Sequence, residues 1–356
     1  MATLTEVTHY SRKAIKFTGL GIAGYITLQI LITNGIKLYK YLNPPPPPPP
    51  TVGFGTLPKI KFPDNPGYNY QFQLQTPTGN FPSFPDRAAV FYMPFKRPSL
   101  LALDEATKLA IKLRFFSEPK DLSSGIYEWT KNIPSPLTLK INSLNGSFSL
   151  NYQWQTDSNL LLNKSLQGRE RTIDMAKSFL SSIGRTYADI DFANGKITYL
   201  KASDNKMVPV KSLLEADFIK ADFFRNDIEN YNVITSNPEN GIISMIFSGS
   251  TNPEKQVVYV KSNYFPADYL SPETYPLKPV ALAWEDLKSG KAFIAKDESD
   301  SDTVTIRRIY LAYYDSEIPQ QFLQPIYMFT NDDENPSFIA YVPAISGEYI
   351  QINSGE

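Results

Sequence analysis

The chain has 356 residues, of which 42% are hydrophobic and 20% are charged, a composition typical of a folded protein. Its net charge is −1, and residues 1–50 carry five cations and one acid (+4), which leaves −5 on the remainder. A mildly acidic body without a basic stripe argues against nucleic acid as a partner.

The residue types that are missing exclude several kinds of site. The chain has no cysteine, so disulfides, thiol nucleophiles and thiolate zinc sites are excluded. Its one histidine is His9, in the N-terminal tail, so the rest of the chain has no Ser-His-Asp triad and no histidine-ligated metal. We therefore predict no catalytic residues, no cofactor-binding residues and no metal ligands.

An apolar segment near the N-terminus predicts a single transmembrane helix. The 20 residues 17–36 would form a helix of about 30 Å, the hydrocarbon thickness of a bilayer. We place the anchor at residues 17–42, and no small-x-small cleavage site follows it, which favours a signal anchor over a cleaved signal peptide. The short tail 1–16 is expected in the cytoplasm and the body outside.

Seven consecutive prolines, Pro44–Pro50, follow the anchor. Such a run predicts a polyproline II rod, about 20 Å long at about 3.1 Å per residue. We assign residues 43–66 to a proline-rich spacer.

Prolines continue to recur up to Pro98, which excludes helix and favours short strands. In residues 68–75 aromatic and aliphatic side chains alternate with amides, a pattern typical of a half-buried strand. A second strand is predicted at 88–95.

Three short amphipathic helices are predicted from apolar positions that recur at helical spacing. The first presents Ala106, Leu109, Ala110, Leu113 and Phe116. The second presents Ile173, Ala176, Phe179, Leu180 and Ile183, and ends at Gly184. The third begins at Pro279, presents Val280, Ala283, Trp284 and Leu287, and ends at Gly290.

Each helix is followed by strands. Asn145-Gly146 and Asn194-Gly195 predict hairpin turns. The first turn lies between strands at 137–141 and 147–152, the second between 189–192 and 196–201. After the third helix, strands are predicted at 291–295, 303–314, 324–330 and 337–343.

The order of a helix followed by an antiparallel meander thus appears three times. It predicts an α+β fold in which antiparallel sheets each pack with a short helix. We place the units at 67–165, 166–275 and 276–350, although the number of units, two or three, stays open.

The C-terminal strands carry a family resemblance. Ala283-Trp284 through Lys291, Ile309–Tyr314, Leu323–Phe329 and Ile339–Ala344 together resemble the C-terminal unit of YycH/YycI-type proteins. Those proteins are single-pass membrane proteins with PepSY-like extracytoplasmic domains, and they restrain a sensor kinase. The resemblance implies a PepSY/YycI-like regulatory module of the bacterial cell envelope and brings no site residues with it.

Three short motifs occur in the order found in penicillin-recognising acyl-serine enzymes. They are Ser117-Glu118-Pro119-Lys120, Ser203-Asp204-Asn205 and Lys288-Ser289-Gly290. Ser117 would be the nucleophile and Lys120 its base. However, Ser117 lies at the end of a predicted helix, Ser203-Asp204-Asn205 falls in a predicted hairpin turn, and Lys288-Ser289-Gly290 ends the third helix, so we interpret them as chance matches.

Two acidic runs have the density of a calcium loop. Asp297, Glu298, Asp300 and Asp302 lack the glycine and the final glutamate of an EF-hand, and Asp332, Asp333 and Glu334 precede Pro336. We interpret both as solvated loops.

The sequence therefore predicts a noncatalytic, membrane-anchored extracytoplasmic module that acts through protein–protein contacts in the cell envelope. Its predicted partners are the lipid bilayer, through residues 17–42, and a membrane or envelope protein. The alternatives are a structural subunit of an envelope secretion, pilus or division assembly and, less favoured, an envelope-processing acyl-serine enzyme.

Overall fold

The computed structural model describes residues 4–43, 48–64, 67–94, 101–123, 125–162, 164–298 and 301–351. The chain divides into an N-terminal unit, residues 1–49, and a compact body, residues 50–356. Of the predicted polyproline rod, residues 44–47 lie outside the described residues, and Pro48–Pro50 have no regular secondary structure.

In the N-terminal unit the described residues form the helix α1 (Leu4–Leu42). Its segment Ser11–Leu42 has a mean hydropathy of 1.5 and is long and apolar enough to cross a membrane. The hydroxyls of Thr18, Thr27 and Thr33 donate to carbonyls four residues earlier, so these polar groups are satisfied within the helix. The helix is compatible with a membrane anchor and includes all of the predicted span.

The body contains four further α-helices among its described residues, and more of these residues lie in strands than in helices. The helices are α2 (Ala102–Lys112), α3 (Arg169–Ser182), α4 (Pro253–Gln256) and α5 (Val280–Lys288). The strands are β1 (Gln71–Leu74), β2 (Arg87–Tyr92), β3 (Lys120–Ser123), β4 (Ile126–Asn132), β5 (Pro136–Asn142), β6 (Phe148–Tyr152), β7 (Lys196–Ser203), β8 (Lys206–Val210), β9 (Phe218–Phe223), β10 (Val233–Ile234), β11 (Ile243–Ser248), β12 (Val257–Ser262), β13 (Asp268–Pro276), β14 (Phe293–Asp297), β15 (Thr303–Ile306), β16 (Arg308–Tyr314), β17 (Phe322–Thr330) and β18 (Phe338–Pro343).

Sheet A has nine strands in the order β3-β4-β5-β6-β12-β11-β9-β7-β8, and all its pairings are antiparallel. Helices α2 and α3 pack on one face and bury the first core, which includes Ala110, Trp129, Leu180 and Met245. The opposite face carries a polar row that crosses the sheet at one register. Its members are Lys120, Glu128, Lys140, Ser149, Lys261, Ser244, Asp222 and Lys196. This alternation is the pattern of an antiparallel sheet with one apolar face.

Sheet B has seven strands: β10-β16-β17-β18-β14, with β2 paired to β17 and β13 paired to β2. Helix α5 and the small parallel sheet of β1 and β15 share the second core with it, which includes Trp284, Leu287 and Phe338. A smaller apolar cluster, including Ile326 and Tyr341, involves Ile60 and Phe62 from the segment before β1. Sheet B contributes to both of these apolar clusters, so its strands are almost continuously buried, as in β17 and β18.

The α+β class with antiparallel sheets is confirmed, and so are most of the predicted elements. Helices α3 and α5 end just before Gly184 and Gly290, which adopt positive φ of 75° and 78°. Tyr68, Tyr70, Phe72 and Leu74 all pack against the second core, as their alternation predicts. The hairpin at Asn145-Gly146 joins β5 to β6, and the predicted end of the second strand at Phe95 lies outside the described residues.

The first predicted helix is shorter than expected. Helix α2 ends at Lys112, and Arg114 takes a positive φ of 61° beyond it. This turn directs Phe115 into the first core, where it is 1% exposed, and leaves Phe116 79% exposed. Phe116 is thus not on the buried face, because the helix ends before it.

The hairpin predicted at Asn194-Gly195 is wrong. Residues 189–192 form no strand with β7, which pairs with β8 and β9 instead. The Asp191 carboxylate accepts the Asn194 N–H at 3.0 Å and makes a local turn. Gly195 is required for another reason: a Cβ there would lie 2.6 Å from the Phe223 ring.

The pairing of the strands also differs from the predicted antiparallel meanders. Some strands pair in parallel, and some join a sheet that lies outside their predicted unit. Strand β1 pairs in parallel with β15, and β10 pairs in parallel with β16. Sheet A takes strands from both sides of the predicted boundary at 165/166, and β2 joins the sheet of the last predicted unit. The strands are thus grouped differently from the division into 67–165, 166–275 and 276–350.

Candidate functional site

The two sheets meet at a region that we call the seam. Among the described residues, three ion pairs cross it: Arg225–Asp315, Lys261–Glu317 and Lys296–Glu239. Beside them lies an apolar cluster of Ala89, Phe91, Met93, Ile228, Val233, Phe265, Tyr313 and Leu323. The seam is therefore partly charged and partly apolar.

A cleft of about 600 Å³ opens at one side of the seam, and we call it the seam cleft. Its lining comes from the β5–β6 turn, the chain after α3, the chain after β12, and two segments that flank sheet B. The lining residues are Met93, Pro94, Leu144, Asn145, Gly146, Gly184, Arg185, Thr186, Tyr187, Tyr264, Phe265, Pro266, Pro319 and Gln320.

Two glycine turns bring the sheet A side of the cleft together. Gly184 follows α3 with positive φ, and the Arg185 N–H donates to the Leu180 carbonyl at 2.8 Å, which is how a helix commonly ends. Gly146 has a φ of 79° in the β5–β6 turn, and its N–H donates to the Asn142 carbonyl at 2.8 Å. Arg185 then joins the two turns by donating from Nη2 to the Gly146 carbonyl at 3.2 Å.

An aromatic pair lies beside these turns. The rings of Tyr187 and Tyr264 have centroids 4.2 Å apart at an interplanar angle of 37°. The Tyr264 hydroxyl donates to Asp189 Oδ1 at 2.7 Å, and the Arg225 guanidinium lies 4.7 Å from the centre of the same ring. This ring is therefore held by a hydrogen bond and a cation–π contact.

Behind the aromatic pair is a buried charged network centred on Arg225. Its side chain is 0% exposed. A charge buried to this extent is tolerated only when it is paired with other groups. Nε donates to Asp315 Oδ2 at 2.7 Å, Nη1 donates to Asp189, and Nη2 donates to the Phe265 carbonyl. The guanidinium thus connects the end of β9 in sheet A to the residue after β16 in sheet B.

The charge state of this network follows from its contacts. Burial alone would lower the pKa of Arg225, but the charge of Asp315 and further interactions, including that with Asp189, raise it. Burial, followed by the hydrogen bond to Asp189, raises the pKa of Tyr264, and burial raises the pKa of Tyr269. Arg225 is therefore a permanent cation, and both tyrosines are neutral donors to Asp189 at physiological pH.

The structure does not bring the acyl-serine motifs together. Ser117 is exposed after α2, and Asp204 and Asn205 form the β7–β8 turn with positive φ values of 48° and 61°. Lys288 pairs with Glu285 on α5 and lies over Trp284 in the other half of the body. The three motifs thus lie on separate elements, and a nonhelical segment, instead of a helical turn, joins Ser117 to Lys120 at the start of β3.

The acidic runs make local contacts instead of a cation site. Asp333 pairs with Arg308 and accepts from the Tyr310 hydroxyl, in the loop between β17 and β18. Asp297 ends β14 and accepts from the Tyr70 hydroxyl, whereas Asp300 lies outside the described residues. Within the described part of the chain, no group of three or more His, Cys, Asp or Glu residues is placed to hold a metal ion.

The residues that do converge were not predicted from the sequence. Arg225, Asp189 and Asp315 are separated by many residues and belong to no local motif. The one sequence signal is Phe223-Phe224-Arg225, where a cation directly follows an apolar strand. Asn145-Gly146 and Gly184 were recognised as turns, but not as parts of one cleft.

Comparison with known proteins adds no family assignment. No protein-family model and no curated protein matches the chain. Among solved structures it is similar to an uncharacterized protein from Eubacterium rectale ATCC 33656, with a TM-score of 0.33 and 11% identity, covering 75% of this chain and 87% of that one. A likeness at this level carries no statement about fold or function.

Proposed function

We propose that this chain is a membrane-anchored extracytoplasmic binding or regulatory module that acts through protein–protein contacts in the cell envelope. In this proposal α1 is a signal anchor with its N-terminus in the cytoplasm, and the body lies outside the membrane. The seam cleft is the contact site for a segment of the partner protein.

The observation that carries the proposal is the chemistry of the cleft. Its surface presents rings, prolines, two glycine turns, amides and one cation, Arg185. The charged groups of Arg225, Asp189 and Asp315 lie behind this surface, where Arg225 pairs with both carboxylates. Pockets that are mostly apolar with a few placed polar groups are typical of binding sites.

Two features support the proposed location. Segment Ser11–Leu42 has the length and composition of a membrane span, and the cations Arg12, Lys13 and Lys16 precede its apolar part. The resemblance of the C-terminal strands to YycH/YycI-type proteins, in turn, favours regulation over transport or catalysis.

Orientation can be tested directly because the natural chain has no cysteine. A single cysteine at Leu214, which is 94% exposed, should react with a membrane-impermeant maleimide in intact cells. A single cysteine at Lys13 should react only after the cells are permeabilised. The reverse labelling pattern would refute the extracytoplasmic location.

The contact site can be tested by photocrosslinking in intact cells. A photoreactive amino acid at Thr186, in the cleft, should crosslink to one membrane or envelope protein identified by mass spectrometry. The matched control is Asp174, exposed on α3 and outside the cleft lining. Equal crosslinking from both positions, or none from Thr186, would refute the cleft as the contact site.

A further inference from the structure

From the charge and shape of the seam cleft, we infer that its occupant is an extended peptide segment with an acidic side chain that binds to Arg185. This inference rests on the proposed function and adds the chemistry of the partner segment to it. Three properties of the cleft carry it: its charge, its two glycine turns and its aromatic wall.

The charge of the lining is one-sided. Among the fourteen described residues that line the cleft, Arg185 is the one charged residue, and none is a carboxylate. Within the described part of the chain, Arg185 makes no ion pair, and a hydrogen bond to the Gly146 carbonyl engages Nη2. A guanidinium has five N–H donors in a planar fork, so donors remain for a carboxylate.

The nearby carboxylate does not satisfy Arg185. Asp189 pairs with Arg225 and also accepts from the hydroxyls of Tyr264 and Tyr269. Its acceptor sites are thus directed into the seam. A ligand carboxylate would therefore supply the counter-charge that the lining of the cleft lacks.

The turns at Gly146 and Gly184 lie against cationic side chains, because a Cβ at Gly146 would be 3.6 Å from Arg185 Nη2 and one at Gly184 would be 2.8 Å from Lys112 Nζ. Neither residue has a side chain, and both adopt positive φ, which L residues rarely take. The two turns border the guanidinium of Arg185, so a backbone that approaches them brings its side chains to the charge. An extended segment that follows the two turns would therefore place an acidic side chain against this positive charge.

The aromatic wall supplies the apolar part of the contact. The tilted pair Tyr187 and Tyr264 presents ring surface, and Pro94, Pro266 and Pro319 line the same cleft. Rings held by packing contribute contact area at small entropic cost. Aromatic or proline residues beside the acidic one would complete the match.

The inference can be tested with a library of linear peptides randomised at every position, selected against the full-length chain in a nonionic detergent. Selected binders should be enriched at least about tenfold in Asp or Glu at one position, which corresponds to about 1.4 kcal/mol. The same selection with Arg185→Glu should enrich Lys or Arg at that position. Arg185→Lys keeps the charge and should keep the acidic preference.

The matched control is Arg171→Glu, a charge reversal at an exposed arginine on α3 outside the cleft lining, which should leave the acidic preference unchanged. Tryptophan emission spectra would show that every variant is folded. The inference is overturned if no peptides are selected, if binders show no charge bias, or if phosphatidylglycerol vesicles bind through Arg185 when no peptide does. A specific crosslink from Thr186 together with unbiased peptides would overturn only this inference and leave the proposed function intact.

Discussion

Leu180 in the first core and Arg225 in the seam are buried to nearly the same extent, yet opposite kinds of contact hold them. Leu180 is 1% exposed and packs among apolar side chains between α3 and sheet A. Arg225 has no exposed side-chain surface and is surrounded by two carboxylates, a carbonyl and a ring. Burial in the core gains hydrophobic stabilisation, whereas burial in the seam is tolerated because each of the three side-chain nitrogens of Arg225 donates to an acceptor.

This difference has a consequence for how the body responds to change. A truncated core side chain leaves a cavity whose cost depends on local relaxation. A truncated Arg225 leaves Asp189 and Asp315 unpaired, and these partners lie in segments that flank sheet A and sheet B, respectively. The seam therefore couples the two halves of the body, and its geometry also sets the shape of the cleft beside it.

The largest effect is expected from breaking the buried network. Arg225→Met leaves Asp315 and Asp189 facing an apolar side chain and should lower the free energy of unfolding by about 3–5 kcal/mol. Urea titration followed by circular dichroism measures this change. Arg114→Met is the control, because Arg114 is 73% exposed and lies 3.8 Å from Glu254. A loss below about 1 kcal/mol at Arg225 would show that the network adds little to the cohesion of the two sheets.

Truncations in the two apolar cores provide the comparison with Arg225→Met. Leu180→Ala in the first core and Leu287→Ala in the second should each cost about 3 kcal/mol, since both side chains are at most 1% exposed. If the seam couples the halves, both substitutions should lower a single unfolding midpoint.

Tryptophan fluorescence can separate the two cores in that experiment. Trp129 and Trp154 report on the first core, and Trp284 reports on the second. Unfolding curves of the parent chain and of Trp284→Phe should therefore show the same transition shape. Two separate transitions in the parent chain would contradict coupling through the seam.

A smaller, pH-dependent effect is expected within sheet A. Burial alone would raise the pKa of Asp157, but hydrogen bonds from Lys255 at 2.6 Å and the Tyr152 hydroxyl at 2.6 Å lower it. Because the folded-state pKa is depressed, the stabilisation is present above the unfolded value of about 3.9 and is lost as pH falls through the folded value. Asp157→Asn should cost about 2 kcal/mol at neutral pH.

That cost should shrink as the pH is lowered below about 4, because the carboxylate of the parent chain becomes protonated as well. Urea titrations of both chains between neutral and acidic pH measure the difference. A difference in stability that stays constant with pH would contradict the assigned pairing.

The smallest effect is expected at the rim of the seam. Lys261 and Glu317 form an ion pair at 2.6 Å, with side chains 40% and 28% exposed. Lys261→Met should cost about 0.5 kcal/mol, and added salt should reduce the effect because exposed charges are screened. A double-mutant cycle with Glu317→Gln isolates the pair. A coupling energy as large as that of Arg225 would remove the distinction between the rim and the buried centre of the seam.

Local patterns predicted much of the secondary structure because they depend on neighbouring residues. Helical spacing placed Ala176 and Leu180 in one core and Trp284 in the other, and glycines marked the helix ends. Prediction failed where a distant partner decided the outcome. Gly195 has the sequence of a turn residue, yet its role is the close approach of Phe223, which no local rule reveals.

By itself, the sequence determined the apolar N-terminal helix, the identity of the amphipathic helices, and the absence of cysteine and histidine chemistry from the body. The helices follow from the spacing of apolar residues along neighbouring turns, and the missing chemistry follows from the composition. Only the tertiary structure decided that β2 and β13 join sheet B, that β1 pairs in parallel with β15, and that Arg225 meets Asp315. Such contacts join residues far apart in the chain, and they form because buried backbone and charged groups must each find a partner, wherever in the sequence that partner lies.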